Sequence, residues 1–169
     1  MPKAIKIFVH AVDATNKFVG TITMYLVFAM IGLLLYEPIS RTIFDRPLIW
    51  SMEVAQFTMA AYWLLGGGYS MILRGHVRMD QLYGRWSEKK KATVDAITDL
   101  FLIFYLVLLL VGAYSSIEYA VIYGQRNRSA WAPLMAPIKI IMGTGVLLML
   151  LQAIATFFKD LATAIGEKI

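Results

Sequence analysis

The chain has 169 residues, 59% of them hydrophobic and 16% charged, with net charge +5 and mean hydropathy +0.65. Soluble domains lie nearer ~45–50% apolar and ~25% charged, and a globule this small keeps too much surface to hide the excess, which excludes an ordinary soluble domain. Cysteine is absent, so a disulfide framework and thiolate metal sites are excluded as well.

In chain order, residues 3–17 come first. Lys3, Lys6, His10, Asp13 and Lys17 step by three and four, while Ile5, Phe8, Val9 and Val12 fill the other face. This pattern predicts an amphipathic helix lying in the membrane interface. The competing reading is a disordered basic tail, because short helices are marginal without a surface to bind.

Four runs free of charge follow. They cover residues 18–36, 54–73, 100–117 and 140–158, with lengths of 19, 20, 18 and 19. At ~1.5 Å of rise per residue each matches the bilayer hydrocarbon, about 30 Å. The expected fold is all-α: one integral-membrane domain over 1–169, with four transmembrane helices and the interfacial helix. The first run is longer than a signal core and ends in LLLYEPISR, so it is expected to be retained. Pro38 either ends the first helix or sits inside one that continues to Arg41, where Glu37 and Arg41 are spaced as a helical pair.

Lys and Arg set the orientation. The two tails and the 74–99 segment carry 11 of them, against 5 in the other two connections. Both termini and the 74–99 segment are therefore expected in the cytoplasm. The basic residues sit beside hydrophobic runs, where lipid headgroups are their natural partners rather than nucleic acid.

Gly66, Gly67 and Gly68 fall inside the second run. They predict close packing against another helix, with a local bend as the alternative. Glu118 lies just past the third run, either as an intramembrane acid for proton relay or as an interfacial acid paired with Arg126 or an arginine of the first connection. His10 and His76 both fall at the cytoplasmic edge rather than in facing helix cores, which does not suit haem. No hydrolase, phosphate-loop or metal motif is present, so no catalytic residue, metal or cofactor is expected.

The ordered set Glu37, Arg41, Phe44, Trp50, Glu53, Trp63, Leu65-Gly66, Arg74, Gly75-His76 and Asp80 resembles the small, DctQ-like membrane subunit of tripartite ATP-independent periplasmic (TRAP) transporters. Trp131, Pro133, Pro137 and Lys139 look like the family's loop before its last helix. The resemblance implies a scaffold without a transport site. Its partners would be a large membrane subunit, which moves a small organic acid with sodium, and a periplasmic binding protein that delivers the acid. Candidate contacts to the large subunit or to phospholipids are Glu53, Gly66, Gly67, Gly68, Arg74, His76, Arg78 and Asp80. Candidate docking residues for the binding protein are Arg46, Arg126 and Arg128. The alternative is a lone four-helix protein, either a small exporter or a cofactor anchor.

Overall fold

Backbone amides in hydrocarbon must find partners within their own segment, which favours long unbroken helices. The computed structural model describes residues 3–46, 48–73 and 88–165. These form α1 (Lys3–Phe44), α2 (Ser51–Ile72), α3 (Glu88–Ile122) and α4 (Ala136–Ile165).

α1 has 42 residues, ~63 Å at the helical rise and about twice the hydrocarbon thickness. Pro38 lies inside it, so the helix runs past Arg41. It stops where Asp45 takes a left-handed φ of 50°. There Ser40 Oγ donates to the Arg46 carbonyl at 3.2 Å and the Arg46 N–H donates to the Ser40 carbonyl at 3.4 Å.

One expectation changes here. Residues 3–17 are not a separate interfacial helix, because α1 passes through Lys17 without a break. The reason is a protein surface that competes with the lipid interface. Val9 and Val12 are buried with Ala155, and Ile5, Phe8, Leu151 and Phe158 pack around them. The predicted apolar face exists, but α4 covers it.

A second difference concerns the segment expected as a cytoplasmic connection over 74–99. Its residues from Glu88 onward are helical and extend α3 to 35 residues. That stretch holds no proline or glycine, and its lysines, glutamate and alanines are good helix formers.

α3 ends at Gly124, whose φ is +55°. The Gln125 N–H reaches back to the Ala120 carbonyl at 3.1 Å, the bond that closes a left-handed helix cap. A Cβ at Gly124 would meet nothing within 4 Å, so any cost of adding one is purely a backbone cost. Gly124→Ala should lower stability by about 1 kcal/mol in a denaturant titration in micelles; an unchanged midpoint would show that the cap relaxes freely.

α4 is the central element. It packs on α1, α2 and α3, and α1 also packs along α2. A second apolar cluster gathers Leu106 of α3 with Leu150 and Ala153 of α4. Among the described residues three helical stretches are long and apolar enough to cross a membrane: Lys3–Phe44, Thr93–Ile122 and Ala136–Ile165. α2 has 22 residues, yet three glycines, Gln56, Tyr62 and Trp63 dilute its hydropathy. The most apolar window is 39% buried in α4 but only 11% buried in α1 and in the Thr93–Ile122 part of α3.

Candidate functional site

Two polar clusters stand at opposite ends of the bundle. The first joins α1 to α4. Asn16 and Gln152 are buried, at 1% and 0% exposure. Asn16 Nδ2 donates to Gln152 Oε1 at 2.9 Å and to the Val12 carbonyl at 3.2 Å. Gln152 Nε2 in turn donates to Asp13 Oδ1 at 2.9 Å. Lys159 Nζ closes the chain, reaching Asp13 Oδ1 at 2.8 Å and Oδ2 at 2.6 Å. Each buried donor thus leads outward to an ion pair about one-third exposed. That grading suits a membrane boundary, because the charges keep water while the amides replace it.

Glycine sets how closely α2 approaches this cluster. Asn16 Oδ1 is buried, accepts no hydrogen bond among the described residues and lies against Gly68, where a Cβ would clash with it. A Cβ at Gly67 would meet Met149 Sδ at 2.6 Å, and one at Gly66 would only touch Thr23. The triple glycine therefore brings α2 against α1 and α4 of its own chain. α4 in turn contributes Gly145, which faces Leu64 of α2; a Cβ there would fall 2.8 Å from the Leu64 carbonyl carbon.

The second cluster lies where α1 ends, α2 begins, and α3 turns into α4. Glu53 occupies the first turn of α2, where the helix dipole favours an acid. It is 8% exposed, and Asn127 Nδ2 donates to its Oε2 at 3.3 Å. This bond ties the α3–α4 connection to α2. The connection is braced further by the Asn127 N–H on the Pro133 carbonyl at 3.0 Å and the Met135 N–H on the Gln125 carbonyl at 2.9 Å. Arg46, Arg126 and Arg128 are exposed at this end, with Arg126 Nη1 donating to the Ala132 carbonyl at 3.4 Å. Glu118 is exposed on α3, and no ion pair joins it to Arg126.

Arg74, His76, Arg78 and Asp80 lie outside the described residues. The Asn16–Gln152 pair is not legible from charge patterning, which passes over neutral amides. Its one signal was an isolated Gln within the fourth uncharged run.

Long apolar helices packed through glycine, with ionised groups gathered toward both ends, define an integral membrane protein. Its family is shown by the sequence profile: the chain belongs to "Tripartite ATP-independent periplasmic transporters, DctQ component", matched over residues 6–163. It is the small subunit of a TRAP transporter, a membrane component and not an enzyme. The family works with the large DctM subunit and a periplasmic binding protein. No curated protein matches the chain.

Proposed function

We propose that the chain is a stationary scaffold, packed beside the large subunit and supporting its sodium-coupled uptake of a small organic acid. In this reading all four helices cross the bacterial inner membrane, α2 included, with both termini and residues 74–99 in the cytoplasm. Residues 3–17 extend α1 along α4 at that face. The Lys/Arg asymmetry of 11 against 5 supports the orientation. Lys139 and Lys159 lie 159 − 139 = 20 positions apart on α4, ~30 Å at the helical rise and matched to the hydrocarbon.

The observation that carries the proposal is the apolar surface of α1 and α3. Phe28 is 66% exposed, Phe101 72% and Phe104 65%. Such surface needs lipid or a partner, and a scaffold uses both. Mild-detergent purification should bring down a much larger hydrophobic subunit. The chain alone in vesicles should move no solute, and transport by it alone would overturn the reading.

The contacts follow from position. On the cytoplasmic side Arg74, His76, Arg78 and Asp80 pair with charges of the large subunit or meet headgroups. Gly66 and Gly67 border an open groove between α1 and α2, where lipid or a partner side chain approaches. On the outer side Glu53 holds the connection that presents Arg126 and Arg128, and with Arg46 these arginines steer the binding protein. The double replacement Arg126→Glu with Arg128→Glu should slow uptake about tenfold without reducing recovery of the assembly. Equal uptake rates would remove the steering role. With single cysteines, an impermeant maleimide should label position 46 in intact cells and spare position 78.

A further inference from the structure

α2 and α3 flank α4 and leave a groove of about 400 Å³ between them. Its walls are Leu64 of α2 and Leu109, Gly112 and Ala113 of α3, and its floor is Met142 and Val146 of α4. The lining is almost wholly apolar except at one end, where Lys139 and Ser116 meet. From Lys139 to Val146 the groove follows seven residues of α4, about 10 Å.

Lys139 is half-buried there. Its Nζ donates to Gln125 Oε1 at 2.6 Å and to the Ser116 carbonyl at 3.2 Å. Both acceptors are neutral. Among the described residues no carboxylate forms an ion pair with it. An ammonium has three donors, so one is left over, along with a full positive charge. A cation at the mouth of an apolar slot about one hydrocarbon thickness from the Asp13–Lys159 pair is matched by an anion that carries its own hydrocarbon.

We propose that this groove is a phospholipid site, with the phosphate on Lys139 Nζ and one acyl chain lying along Gly112 and Leu109 toward Val146. The Gln125 and Ser116 contacts hold the ammonium at the mouth, so the lipid meets a placed charge. Gly112 keeps the slot open, because a Cβ there would meet no atom of the protein within 4 Å. The site would hold one lipid between α2 and α3 and fill the gap these helices leave. It rests on the placement of α2 and α3 in the bilayer proposed above.

The full chain, purified with its large subunit, would be placed in nanodiscs of phosphatidylethanolamine and phosphatidylglycerol. These would be doped with a phosphatidylglycerol bearing a diazirine midway along one acyl chain. After illumination, mass spectrometry should find adducts concentrated between residues 109 and 116 and between 142 and 146. Lys139→Gln should cut that labelling about tenfold, the scale of a lost charge-assisted bond. Lys139→Arg should restore it, and Gly112→Leu should abolish it by filling the slot. Labelling of the exposed faces of α1 and α3 should persist in every variant, and its absence would refute the membrane placement instead. The site itself is overturned if groove adducts match those of the exposed faces and ignore all three substitutions. It is equally overturned if Lys139 is found cross-linked to a carboxylate of the large subunit in place of lipid.

Discussion

Gly145→Leu should unfold the contact between α2 and α4, with a loss of about 3 kcal/mol or more. The reason is the identity of the neighbour. A Cβ at Gly145 would sit 2.8 Å from the Leu64 carbonyl carbon and 2.9 Å from its oxygen. These are main-chain atoms of a helix and cannot turn aside as a side chain does. Gly145→Ala should already cost about 2 kcal/mol, since it forces the two helices apart or bends one of them.

Two other glycines serve as controls. At Gly143 an added Cβ would meet Ile117 Cδ1 at 2.7 Å, the far end of a flexible side chain. Gly143→Ala should therefore cost less than about 1 kcal/mol. Gly112 faces open space, and Gly112→Ala should be close to neutral. Unfolding in mixed micelles, read by circular dichroism, gives the ranking. If Gly143→Ala proved worse than Gly145→Ala, the claim that α2 and α4 are in backbone contact would fail.

The second large effect is expected at Gln152. It is fully buried and links Asn16 to Asp13. Gln152→Ala leaves a cavity and deprives Asn16 Nδ2 of its side-chain acceptor, for a cost of about 3 kcal/mol. Asp13→Ala should cost about 2 kcal/mol, because both Gln152 and Lys159 lose their acceptor. Lys159→Met should cost less, about 0.5–1 kcal/mol, since that pair is partly exposed and screened and Asp13 keeps its bond from Gln152. A double-mutant cycle between Asn16→Ala and Gln152→Ala should show a coupling of about 1 kcal/mol. Simple additivity would mean that the two buried amides act independently and that the polar link from α1 to α4 runs through Asp13.

The amide chain, together with an apolar cluster, also explains how residues 3–17 come to stand along α4. Burial of Val9 and Val12 brings the first turns of α1 onto α4, and the amide chain fixes their register. In the scaffold role proposed above such a joint would be useful, because helices tied at their ends resist sliding. With Asn127 on Glu53 at the opposite end, the tie joins the α3–α4 connection to α2 rather than helix to helix.

Membership of a membrane class was readable from residue order alone. Uncharged runs matched to bilayer thickness leave little choice of fold, since hydrocarbon admits only helices or closed barrels. The helical core of each run and the close packing at Gly66 to Gly68 follow from the same local rules, whereas only the structure chooses between a first helix that ends at Pro38 and one that runs past it. The family profile over residues 6–163 agrees with the resemblance carried by Glu37 through Asp80.

What surrounds each helix was decided only by the tertiary structure. Amphipathic spacing in residues 3–17 shows that one face seeks an apolar surface, and it does not say whether lipid or α4 supplies it. Charge counting located Asp13 and Lys159 but could not join residues 146 positions apart, because that contact depends on how α1 lies against α4. The sequence marks Glu53 as the charge that precedes the second run, and only the turn from α3 to α4 buries it beneath Asn127. Periodicity and charge act along one helix; the neighbour that meets a given side chain is settled by which glycines let two backbones touch.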